Sequence, residues 1–237
     1  MINVIYSPSL VFDENRTDGF DYSRKQRLSH GEPSNKKNEI FTAGLLIERI
    51  KPEGAMVYYR TEGRPEFTKY YDCLSTGKIH GYRSFNVTHS GGLVFCAYSD
   101  EIEVGVDFEP SNRHVNDLLE KGLCADNEKE VFEAIEDPDE RSRFLLKMFT
   151  RKEALAKLLG IGIRMDFPSI VDTGVDQYGN SKEFVAKMEV PEQTTGRKAE
   201  KTYYVRTILV EDGYLSIAYE YDEKKAGERY EVKISKY

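Results

Sequence analysis

The run from Glu140 to Leu159 contains neither glycine nor proline and is dominated by strong helix formers, so it predicts one long helix. Phe149, Glu153 and Lys157 recur at every fourth position of it and share a face, while Phe144, Met148, Leu155 and Leu159 form an apolar stripe suited to a core. Earlier in the chain the period changes. Ile102, Val104, Val106 and Phe108 alternate with Glu103, Gly105, Asp107 and Glu109, the pattern of a strand with acidic side chains on one face.

Alternate residues of a strand lie roughly 6.6 Å apart, from a rise of about 3.3 Å per residue, so Asp107 and Glu109 can flank one cation. Gly105, on the same face, lacks a Cβ and leaves room for a close approach to the backbone. With Glu153 of the helix packed opposite, three carboxylates converge and Lys157 lies one turn away. Oxygen-only donors of this kind suit Mg²⁺, with Mn²⁺ as a substitute. Each motif also has an ordinary structural reading: Glu followed by Lys at i+4 is a common helix pair worth about 0.2–0.5 kcal/mol, and acidic residues on an alternating strand can form a solvated face.

The 237 residues, 39% of them hydrophobic, suffice for one large domain or two small ones. No stretch approaches a membrane span, and Met1-Ile2-Asn3 opens without a basic, then apolar, leader, so a cytoplasmic protein without a membrane partner is expected. A formal net charge of −7 with a pI near 5.3 argues against a nucleic-acid partner, which would require a basic surface. Cys73, Cys96 and Cys124 lack the paired spacing of zinc or redox sites and are expected as reduced, mostly buried thiols.

Around these motifs the patterning predicts a helical piece near 21–29, an amphipathic helix over 38–50 ended by Pro52 and Gly54, and a short strand over 56–60. Ser90-Gly91-Gly92 separates two β-rich runs within 84–98, a hairpin whose turn amides and His89 could cradle a phosphate. Helices are expected at 114–122 and 126–135, and strands at 183–190, 203–210 and 214–221, with a polar, mobile stretch over 193–201 and a charged tail after Asp222. Helix 38–50, strand 56–60 and hairpin 84–98 find counterparts in helix 138–159, strand 161–167 and hairpin 203–221. The expected fold class is therefore α+β, with two similar α/β lobes, 1–102 and 103–237, in a pseudo-twofold arrangement and an active site in the cleft between them.

Gly105-Val106-Asp107-Phe108-Glu109 and Phe149-Thr150-Arg151-Lys152-Glu153-Ala154-Leu155-Ala156-Lys157 together resemble the signature of the 4′-phosphopantetheinyl transferases. Gly63-Arg64-Pro65 and Phe85-Asn86-Val87-Thr88-His89-Ser90 resemble two further motifs of the long, pseudo-dimeric, surfactin-type branch, in the same order. The resemblance implies Asp107, Glu109 and Glu153 as metal ligands, and Glu153 and Lys157 as catalytic residues. It implies His89, Ser90 and Lys157 as contacts to coenzyme A, with Arg64, Arg24 and Arg27 near its nucleotide end. The family's further basic residue falls here on apolar Ile40, a departure at the 3′-phosphate. Leu159-Gly160-Ile161-Gly162 is similar to the family's glycine-bearing turn.

The activity so implied is Mg²⁺-dependent transfer of 4′-phosphopantetheine from coenzyme A to a serine of an apo acyl carrier or peptidyl carrier protein, by an enzyme expected to be a monomer. Two rival classes share the same pocket: a Mg²⁺-dependent hydrolase of coenzyme A or a related nucleotide diphosphate, and a non-catalytic coenzyme A-binding protein. Glu103, on the strand's acidic face, is expected to tolerate Gln with little loss of activity.

Overall fold

A computed structural model describes residues 1–60, 63–68, 70–71, 79–80, 83–113, 122–161, 166–170, 183–191, 198–220 and 230–237. All but the last residue of the helix expected at 114–122, most of the strand expected at 161–167, the stretch 193–197 and Cys73 lie outside these residues. The described chain is a mixed α+β protein. Its helices are α1 (Tyr22–Ser29), α2 (Ser34–Ile50), α3 (Asp126–Ala134) and α4 (Pro138–Leu159). Its strands are β1 (Ile2–Pro8), β2 (Val57–Tyr59), β3 (Pro65–Phe67), β4 (Tyr70–Tyr71), β5 (Ile79–His80), β6 (Ser84–Ser90), β7 (Leu93–Ser99), β8 (Val104–Pro110), β9 (Glu183–Pro191), β10 (Lys198–Val210), β11 (Gly213–Glu220) and β12 (Val232–Lys236). No helix among the described residues is long and apolar enough to cross a membrane.

The chain divides into two compact units, residues Met1–Val104 with Arg229–Tyr237, and residues Gly105–Glu228. In the first, a sheet of order β12-β1-β7-β6 carries α2 on one face. Leu46, Ile47 and Ile50 of the helix pack with Phe85, Val94 and Cys96 of the sheet. The β6–β7 hairpin turns through Gly91 and Gly92, whose φ values of 57° and 77° are readily reached without a Cβ. Burial pushes the Cys96 thiol up to about 12, so it is an inert core residue, and Cys124 is likewise buried. The tail does not stay with the second unit, where the sequence reading put it: β12 pairs in parallel with β1.

In the second unit a sheet of order β8-β11-β10-β9 carries α4, which packs on β11 and β10. Asp137 caps α4 by accepting from the N–H groups of Asp139 and Glu140, and Pro138 supplies its first turn. Gly160, in the left-handed region at φ 73°, ends it. At α3 the N-cap position is Ala125, and the Glu128 side chain reaches back to accept the Ala125 N–H at 2.8 Å.

The internal repeat takes a particular form. β1, α2, β6 and β7 in one unit, and β8, α4, β10 and β11 in the other, follow the same order along the chain and the same neighbour order in the sheet. The matching first strand, β1, was not expected, and residues 167–169, at the end of the expected 161–167 strand, form a single 3₁₀ turn.

Candidate functional site

The acidic strand and the long helix meet at Gly105. A Cβ built there would lie 2.2 Å from the Ala154 carbonyl oxygen and 2.6 Å from the Leu158 nitrogen, so the close approach that glycine permits is that of α4 itself. On the same sheet Gly213 plays a similar part, since a Cβ there would lie 2.4 Å from the Phe108 ring. These contacts fix which turn of α4 faces β8, and Glu153 and Lys157 belong to that turn.

Asp107 and Glu109 are each only 5% exposed. The Lys157 ammonium donates to Asp107 Oδ1 at 2.7 Å and keeps part of its surface in solvent. Arg113, four residues beyond Glu109, donates to the Glu109 carboxylate, and its guanidinium lies 5.0 Å from the centre of the Phe149 ring. Glu153 is half-buried among them. Burial, and then the nearby Asp107 carboxylate, push its carboxyl above the ordinary value, against the opposing pull of Lys157 and Arg113. A carboxyl held in this way is a stronger proton acceptor than an exposed one.

Three anionic oxygen donors, two of them buried on one strand, suit a hard divalent cation in kind. Among the described residues, however, no three His, Cys, Asp or Glu side chains stand close enough together to hold one as they lie. Lys157 and Arg113 instead supply the positive charge beside Asp107 and Glu109. Sequence reasoning missed Arg113; its signal was the i+4 spacing from Glu109 combined with an aromatic residue at 149.

The other residues of the Phe149–Lys157 segment hold the helix in place. Lys152 is fully buried and donates to Glu128 Oε2 at 2.5 Å, to the Leu123 carbonyl at 2.7 Å and to the Phe167 carbonyl at 3.0 Å. Arg151 Nε donates to Thr207 Oγ1, which shares a hydrogen bond with Ser216 Oγ, and that hydroxyl donates to Thr150 Oγ1. A polar seam thus pins α4 to β10 and β11. Glu153 and Lys157 remain on the acidic-strand side.

The first unit carries the other sequence-predicted residues. His89 and Ser90 end β6 just before the Gly91-Gly92 turn, and Glu39 Oε2 of α2 lies 3.1 Å from His89 Nδ1. Glu39, which the sequence reading did not single out, thereby orients the imidazole. Arg64 is buried, with Nη1 3.2 Å from Glu103 Oε2 and Nη2 3.3 Å from Ser84 Oγ. Glu103 also meets Arg60 and so ties two arginines together. Arg24 is buried against Asp21 and donates to the Ile40 carbonyl, whereas Arg27 is exposed. Ile40, at the position where the resembled family carries a basic residue, is part of the core with Phe20, Leu28 and Phe41.

No curated protein gives a significant match to this chain. The segment that contains the acidic strand, α4 and most of β10 is similar to a known family: residues 103–207 match the model of the 4′-phosphopantetheinyl transferase superfamily.

Proposed function

We propose that the protein transfers the 4′-phosphopantetheine group of coenzyme A to a serine of an apo acyl carrier or peptidyl carrier protein, releasing adenosine 3′,5′-bisphosphate. One observation carries the reading. Within the matched segment, the contact of Gly105 with α4 brings Asp107, Glu109, Glu153 and Lys157 into one neighbourhood, with Lys157 held by Asp107.

Asp107, Glu109 and Glu153 would hold Mg²⁺ or Mn²⁺, which when bound supplies charge neutralisation for the diphosphate under attack. Lys157, anchored at one end of its reach by Asp107, presents an ammonium to the charge that grows on the phosphoryl and leaving oxygens. Glu153 accepts the proton of the attacking serine hydroxyl, a role its raised carboxyl favours. Recognition of coenzyme A is assigned to His89 and Ser90 beside the diphosphate, and to Arg64, Arg24 and Arg27 for the nucleotide end. Of the three arginines, Arg27 is the one whose exposure leaves it able to meet a ligand without first giving up an internal bond. The same reading places the enzyme in the cytoplasm, acting as a monomer of the surfactin-type branch.

Release of adenosine 3′,5′-bisphosphate from coenzyme A tests the reaction class. Release that requires both an apo carrier protein and Mg²⁺ supports transfer. Release at the same rate without any carrier protein would make the chain a hydrolase.

A further inference from the structure

Glu109 has two claims on it: as a proposed metal ligand, and as the partner of Arg113. The guanidinium is fixed from both sides, by the carboxylate and by the Phe149 ring at 5.0 Å, which makes it a placed cation and not a wandering surface charge. The charges around the site are three carboxylates, Asp107, Glu109 and Glu153, against two basic groups, Lys157 and Arg113. A divalent cation added to that set reverses its sign unless one basic group withdraws. Both basic groups hold buried carboxylates, but Arg113 is the more exposed of the two and borders an open cavity of about 360 Å³ that it lines with Ser111, Asn112, Asp139, Ser142 and Arg143.

We propose that Arg113 is a built-in counter-cation for Glu109, which holds the ligand carboxylate while no divalent ion is bound and turns toward this cavity when one binds. Phe149 is the positioning residue for Arg113, since it offers the ring over which the guanidinium lies. The consequence is a lowered affinity for divalent cations. The proposal rests on the metal-binding reading of Asp107, Glu109 and Glu153 given above.

The test is direct Mn²⁺ binding to the full-length, metal-free protein, read by electron paramagnetic resonance without coenzyme A or carrier, with folding checked by thermal melting. Arg113→Gln is expected to bind Mn²⁺ about three- to tenfold tighter than the wild type, the size of one partly exposed ion pair together with a cation–ring contact. Phe149→Leu, which loosens the guanidinium without removing it, should shift affinity in the same direction by a smaller factor, and it decides the matter if Arg113→Gln does not fold. Asp107→Asn should abolish binding. Equal or weaker binding by Arg113→Gln and Phe149→Leu, while Asp107→Asn abolishes it, would overturn the role of Arg113 and leave the metal reading intact. Failure of wild type and both variants to bind Mn²⁺, or binding that Asp107→Asn leaves undiminished, would remove the metal reading and the role of Arg113 with it.

Discussion

Lys157 Nζ lies 2.7 Å from Asp107 Oδ1, so the long helix and the acidic strand are joined at the pair of residues through which they are proposed to act. The carboxylate is buried and the ammonium is partly solvated. Lys157 thus arrives with its direction already set, and little reorganisation remains when charge develops on a substrate.

Replacing Lys157 by Met keeps most of the stem and removes the charge. As a purely structural partner of the buried Asp107 it would cost about 1–3 kcal/mol of stability and leave turnover alone. As a preorganised group it should cost about 10²–10³ in kcat, with a much smaller change in KM for coenzyme A. Steady-state kinetics beside a melting curve separates the two; turnover within a factor of about two of wild type would return Lys157 to a structural role.

Gly105→Ala tests how the site is assembled. The added methyl would press on backbone atoms of Ala154 and Leu158, which cannot swing aside as a side chain can. Overpacking of this kind costs about 1–3 kcal/mol, and the helix turn carrying Glu153 and Lys157 must move away from Asp107. The variant should lose both melting temperature and activity, while Gly31→Ala, with nothing within 4 Å of the new methyl, should lose neither. Full activity in Gly105→Ala would mean that the close helix approach is not needed.

Lys152 lies beside Glu153 in sequence and yet should act through stability alone. Lys152→Met leaves Glu128 buried without its cation, which typically costs about 3–5 kcal/mol. Pairing it with Glu128→Leu removes the stranded charge and should recover a large part of that loss, as denaturant midpoints would show. If the double variant were no more stable than Lys152→Met alone, the buried pair would not be the source of the cost.

Glu153→Gln should raise stability where it lowers activity. Below the ordinary carboxyl value of 4.5 the side chain is protonated in folded and unfolded chains alike, and Gln changes little. As the pH climbs past the raised folded value, the wild type must carry an ionised carboxylate that burial and Asp107 disfavour, whereas Gln carries none. Melting temperatures in the presence of a chelator should therefore diverge with rising pH, Gln being the more stable near neutrality. A Gln variant that is the less stable at neutral pH would show that Lys157 and Arg113 outweigh burial.

The acidic strand, the long helix and both hairpins were legible because their apolar periods are strong and their ends carry Asp137-Pro138, Gly160, Gly91-Gly92 and Glu211-Asp212-Gly213. β1 was not: Ile2-Asn3-Val4-Ile5-Tyr6 is short, without strict alternation, and is covered on both sides only because β7 and β12 pair with it. Spacing placed Asp107 and Lys157 on one face of their own elements, and their convergence was read on the supposition that the helix packs against the strand; the choice of partners was not legible. Charge pattern says that Arg64 and Arg24 are cations; it does not say that Glu103, Ser84, Asp21 and the Ile40 carbonyl already hold them. Apart from the local Asp21–Arg24 pair, such commitments arise between segments distant in sequence, as with Lys152 and Glu128, and leave no local trace.

The most direct measurement is the intact mass of several apo carrier proteins after incubation with coenzyme A, Mg²⁺ and this protein, with Asp107→Asn run in parallel. At least one carrier should gain the mass of a single phosphopantetheine group at its serine, with the wild type and not with the variant. No mass gain on any carrier, or equal gain with Asp107→Asn, would contradict the account.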